Sequence, residues 1–130
     1  MLSATEKLWD AKKLEIVWNY FPRKEFAVLV DGEEVYLDDV NTDFFHNYVV
    51  PIIDDRICEM FAEKTGLEIE DSLFDDDYEG MYIRASDGKD YYVKFGNYYK
   101  TRITGLQEDV LEIDFEEVEI REISKDLSPF

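Results

Sequence analysis

The hydrophobic pattern near the start of the chain carries two periods at once. Ala11, Leu14, Val17, Trp18 and Phe21 fall on one helical face, and Ser3 or Thr5 can cap a helix running to about Tyr20. Leu14, Ile16, Trp18 and Tyr20 also alternate, which is the period of a strand over residues 14–20. Phe21 precedes Pro22, and either element ends there. In the next stretch, EFAVLVDGEEVYLDD (residues 25–39), two β-rich runs flank Asp31-Gly32. Both turn residues tolerate positive φ, so the spacing predicts a hairpin.

A third pattern is helical. Phe45, Tyr48, Val49, Ile52, Ile53, Ile57, Met60 and Phe61 recur on one face, with Asn41 or Thr42 as N-cap and Gly66 as a left-handed C-cap. Pro51 lies inside this run and predicts a kink or short break near Val50. From Gly80 the chain reads as a meander, with Asp87-Gly88 and Gly96-Asn97 as two-residue turns and Gly105 closing a third strand. The final stretch, VLEIDFEEVEIREI (residues 110–123), alternates at Leu111, Ile113 and Phe115 and slips phase at Glu116-Glu117. With no Gly or Pro there, it reads as one bulged strand, a helix through Leu111, Phe115 and Val118 being the alternative. The expectation is a single α+β domain over 1–130: an N-terminal helix, a β-hairpin, a long kinked helix, then an antiparallel β-meander with an acidic C-terminal strand.

Charge changes the picture from fold to partner. The chain has 32 acidic and 14 basic residues and a net charge of −18, with acids in excess in both halves. Such a field repels nucleic acids and anionic membranes and attracts basic protein surfaces. One cysteine permits no intrachain disulfide, and no apolar run approaches a membrane span or a signal peptide core, so a cytoplasmic protein is expected.

Candidate chemistry is sparse. Asp75, Asp77, Glu79 and Gly80 occupy the first, third, fifth and sixth places of a calcium loop, but the twelfth place, which needs a bidentate Glu, is Ser86. No metal site is therefore assigned. The one histidine, His46, and the one cysteine, Cys58, are too few for a zinc site, and about 18 Å would separate them along an unbroken helix. No GxxxxGK or GxGxxG phosphate loop is present. The reading is of a non-enzyme with no cofactor.

The acids are informative in their spacing. Glu112, Asp114 and Glu116 alternate with the apolar residues of the last strand, and Glu117 and Glu119 continue the row after the phase slip. Residues two apart on a strand are about 6.6 Å apart, so this is a regular array of negative charge, to which Asp75, Asp76 and Asp77 add. A second surface runs the other way. Two-residue turns would place Tyr82, Arg84, Tyr91, Phe95, Tyr98, Lys100 and Arg102 on one face of the meander. Of these, Arg84, Tyr91, Tyr98, Lys100 and Arg102 form an alternative anion or partner site.

The leading functional expectation is an inhibitor that mimics phosphate charge. It would bind the basic surface of a nuclease or other nucleic-acid-binding effector, in an anti-restriction, anti-CRISPR or immunity setting. The alternatives are a non-catalytic assembly module using the Tyr/Arg face, or a binder of a small anion such as a nucleotide.

Overall fold

The computed structural model describes residues 3–20, 25–38, 43–103 and 106–130. The fold is α+β, as the patterns require, with antiparallel strands throughout. Strands β1 (Lys13–Tyr20), β2 (Glu25–Val30), β3 (Glu33–Asp38), β7 (Gly96–Ile103) and β8 (Leu106–Asp114) form sheet A in the order β3-β2-β1-β8-β7. Strands β4 (Ile69–Phe74), β5 (Gly80–Ala85), β6 (Asp90–Lys94) and β9 (Glu119–Ile123) form sheet B in the order β4-β5-β6-β9. Helices α1 (Ala4–Asp10) and α2 (Val50–Thr65) join both sheets in one core.

That core takes Leu14, Ile16, Val28, Leu111 and Ile113 from sheet A, Met81, Ile83 and Val93 from sheet B, and Ile53, Ile57 and Phe61 from α2. Phe61 meets the Tyr91 ring at 5.3 Å. Arg56, half-buried on α2, stacks 3.6 Å over Phe115 and donates to the Leu8 carbonyl at 2.9 Å, so one cation fastens α2 to α1 and to the end of β8.

The first helix is shorter than its periodicity predicts. Ser3 caps it by accepting from the Glu6 N–H, but it stops at Asp10 and residues 13–20 form β1. Leu14, Ile16 and Trp18 follow the strand period because β1 is the central strand of sheet A, paired with β2 on one side and β8 on the other. Those long-range ladders outweigh a local helical preference in a segment that carries both signals. The Asp31-Gly32 hairpin is present, with φ of 50° and 86°, and the Asp31 carboxylate accepts from the N–H groups of Lys12 and Lys13 at the start of β1.

The break near Val50 takes a particular form. Pro51 sits in the first turn of α2, and a π-helical turn, Phe45–Val49, precedes it. Pro51 has no N–H to offer the carbonyl four residues back, and the ladder widens there, with the Val50 N–H donating to Phe45. Gly66 caps α2 at φ 72°, its N–H donating to Ala62 at 2.9 Å. Asn41, Thr42 and Gly105 lie outside the described residues.

Three expectations about the second half are corrected. The Asp87-Gly88 hairpin exists, but its loop is Ser86-Asp87-Gly88, closed by Ala85 and Lys89, with Gly88 at φ 79°. The register moves by one residue, so Arg84 faces Asp90 and Tyr82 faces Tyr92. Tyr91 thereby turns to the core and Tyr92 to the outer face, because a one-residue slip exchanges the two faces of a strand. Gly96-Asn97 makes no hairpin: the chain leaves sheet B after β6, and β7 begins at Gly96 and pairs with β8 in sheet A. The Phe95 and Gly96 N–H groups both donate to the Glu79 carbonyl, and a Cβ on Gly96 would lie 3.0 Å from the Glu112 carbonyl. Close approach, and not a turn, explains that glycine.

The final stretch is two strands in different sheets. β8 pairs with β1 and β7, and β9 pairs with β6. The turn between them needs no Gly or Pro, because the Asp114 carboxylate accepts from the Glu116 N–H at 2.9 Å and bends the chain.

Candidate acidic interface

With far more acids than bases, most carboxylates must find donors other than lysine and arginine. Tyrosine supplies many of them. The phenols of Tyr20, Tyr36, Tyr91, Tyr92 and Tyr99 donate to Glu34, Asp38, Asp87, Asp75 and Glu112 at 2.5–3.0 Å. Each such bond holds the phenol proton on; Tyr20 and Tyr91 are pushed up to about 12, first by the carboxylate each one faces.

The loop that imitates a calcium site is consumed in this way. One Asp75 oxygen accepts from the N–H groups of Asp77 and Glu79 at 3.2 and 3.0 Å, and the other accepts from the Tyr92 hydroxyl at 2.5 Å. The Glu79 carboxylate accepts from the Tyr98 N–H at 2.9 Å, tying this sheet B loop to β7 of sheet A. Gly80 lets the Tyr92 ring pass: a Cβ there would overlap the phenol and lie 2.7 Å from the Val93 carbonyl. Asp75 and Glu79 are therefore structural acceptors, while Asp76 and Asp77 are exposed. Among the described residues no group of three or more His, Cys, Asp and Glu is placed to hold a metal ion.

The C-terminal acids stand differently. A cleft of about 370 Å³ opens where β6 gives way to β7 and β8 to β9. It is lined by the carboxylates of Glu15, Glu112, Asp114, Glu117 and Glu119 and by Lys13 and Lys94. Glu112 and Asp114 reach it from β8, as the alternation requires, and Glu117 and Glu119 come round from the turn and from β9. Exposed Glu116 does not line it. Among the described residues the carboxylates of Glu116, Glu117 and Glu119 accept no hydrogen bond and form no ion pair, and Lys13 reaches Asp114 only loosely, at 4.0 Å.

Glu15 is the member that the sequence reading missed. It lies directly opposite Glu112 in the β1–β8 ladder, a like-charge cross-strand pair that works against the sheet. Burial, and next the Glu112 charge, raise the Glu15 carboxyl above its ordinary range. The signal was present: in the alternating pattern of residues 14–20, Glu15 falls on the face opposite Leu14 and Ile16.

The alternative Tyr/Arg site is dispersed. Arg84 lies on the outer face of sheet B and is taken by Asp90, whose side chain is fully buried, through two bonds of 2.9 and 3.1 Å. That pairing, with a bond from Ser128, holds the Asp90 carboxyl down at about 2. Tyr91 packs on Phe61, and Tyr98 and Lys100 belong to β7 in the other sheet. Arg102 also lies on β7, but its side chain is outside the described residues. His46 is exposed on the π-helical turn. The Cys58 thiol donates to Asp54 at 3.2 Å and is pushed up to about 12, first by burial and then by that bond, which leaves little thiolate at neutral pH.

No helix among the described residues is long and apolar enough to cross a membrane. No protein-family model, curated protein or solved structure matches this chain.

Proposed function

We propose that the protein is a non-catalytic, cytoplasmic antagonist that binds a basic protein surface through the carboxylates of the cleft. Its target is the nucleic-acid-binding face of a nuclease or similar effector, where carboxylates take the place of phosphates. The observation that carries this reading is the convergence of Glu15, Glu112, Asp114, Glu117 and Glu119 on one cleft, with Glu15 and Glu112 set against each other. A guanidinium or ammonium group from a partner would relieve that repulsion, so part of the binding energy is stored in the free protein. The net charge of −18 would speed the encounter with a basic partner.

The test is capture of partners from host lysate by the wild type and by the Glu112→Lys, Asp114→Lys, Glu117→Lys variant, at low and high salt. Partners should be nucleic-acid-binding proteins released by salt, and the variant should lose them by at least a hundredfold in affinity. Equal retention of the same partners by the variant, or retention unaffected by salt, sinks the proposal.

A further inference from the structure

The outer face of sheet B differs in character from the rest of this acidic surface. Its register aligns Leu73, Tyr82, Tyr92 and Arg121 in one row across all four strands. Tyr82 and Tyr92 lie 5.0 Å apart, and the Arg121 guanidinium stands 5.4 Å from the Tyr92 ring. Tyr82, Tyr92 and Arg121 of this row line a groove of about 900 Å³ together with Ile123 and Leu127, which is 73% exposed. Its lining combines two tyrosines and three aliphatic side chains with the charged Lys94, Glu119 and Arg121, and apolar walls beside a few placed polar groups are the make-up of small-molecule sites.

The charges of the groove oppose the charge of the chain. Arg121 and Lys94 line it against the single carboxylate Glu119, and among the described residues neither cation has an ion-pair partner. Arg84, the neighbouring cation on the same face, is by contrast already neutralised by Asp90. The Tyr92 ring is held in place by its bond to Asp75 and by the missing Cβ of Gly80, so the platform is formed before any ligand arrives.

We propose that this groove binds a small planar anion, an aromatic ring carrying a phosphate, sulfonate or carboxylate group. The ring stacks on Tyr82 beside the tilted Tyr92 ring, and the anionic group takes the fork of Arg121 with Lys94 as a second point charge. The inference does not depend on the acidic cleft, although Lys94 and Glu119 stand at the rim of both.

Two probes test it: adenosine 5′-monophosphate and naphthalene-1-sulfonate, titrated against isotope-labelled protein and followed by NMR and calorimetry. At least one should shift the Tyr82, Tyr92 and Arg121 resonances. Adenosine or inorganic phosphate alone should bind at least tenfold more weakly than the monophosphate, and naphthalene more weakly than its sulfonate. Arg121→Gln and Tyr82→Leu should each weaken binding at least tenfold, while Lys100→Ala leaves it unchanged. Arg121 is exposed, so its variant should fold as the wild type does, which a matching thermal melt checks. The proposal is overturned if neither probe shifts these resonances, if Arg121→Gln binds as well as wild type, or if the face shifts only with protein concentration, which would mark it as a contact between copies.

Discussion

Two stretches of this chain look alike in composition and end in opposite states. Asp75–Glu79 and Glu112–Glu119 are both dense in carboxylates, yet the first spends Asp75 and Glu79 as acceptors inside the fold and leaves Asp76 and Asp77 exposed. The second gathers Glu112, Asp114, Glu117 and Glu119 about one cleft, with Glu117 and Glu119 unengaged among the described residues. Asp75 accepts three hydrogen bonds and Glu79 fastens the two sheets together. Glu112, by contrast, takes one phenol and faces another carboxylate, and Glu117 and Glu119 take nothing among the described residues. The lesson is that acid density does not mark an interaction site. The candidates are the carboxylates left over once backbone N–H groups and tyrosines have been served, and of these the ones gathered about the cleft carry the proposal.

The largest effects should come from breaking the engaged side of this contrast. Asp75→Ala removes the acceptor for two N–H groups and a phenol, and should destabilise the protein by about 3 kcal/mol in urea denaturation. Gly80→Ala should act on the same joint by displacing Tyr92, at about 1–3 kcal/mol. Asp76→Asn, on the same loop but exposed, should stay within about 0.5 kcal/mol of wild type. Equal effects at Asp75 and Asp76 would erase the distinction.

Acid titration should separate the two kinds of carboxylate by sign. The contribution of Asp90 is complete above its ordinary value of 3.8 and is lost as the pH falls through about 2. Glu15, raised above its ordinary 4.5 first by burial and then by Glu112, binds its proton more readily folded than unfolded, so the fold gains stability as pH drops from neutral toward 4.5. Urea midpoints across pH should therefore rise slightly and then fall. The smallest effect should be Glu15→Gln, which relieves the repulsion with Glu112 and should stabilise by about 0.5 kcal/mol at neutral pH while abolishing the rise. A loss of stability in that variant would mean that the pair is not in conflict.

Much of the fold was legible where the signal was local. The Asp31-Gly32 turn, the Gly66 cap and the break at Pro51 each follow from the φ preferences or missing N–H of one or two residues. Legibility failed where distant pairing decided. Residues 13–20 carry both periods and became a strand because β2 and β8 flank them. The hairpin after β5 took a three-residue loop, and that single residue exchanged Tyr91 for Tyr92 on the outer face. In the candidate site, Glu112 and Asp114 were readable from their alternation on β8, whereas Glu117 and Glu119 reach the cleft from a turn and a second strand that the one-strand reading did not contain. Glu116 of the same row stays outside it, and Glu15 required knowing which strand lies beside β8.

By itself the sequence determined the class of fold, the Asp31-Gly32 turn, the apolar face of α2 and a net charge of −18, because these depend on backbone preference, on hydrophobic period and on charge count. Only the tertiary structure decided which acids are engaged within the fold and which are left unengaged. That depends on which donors come within hydrogen-bond reach, and Tyr92 reaches Asp75 from 17 residues away because two strands pair in one register and not in the next.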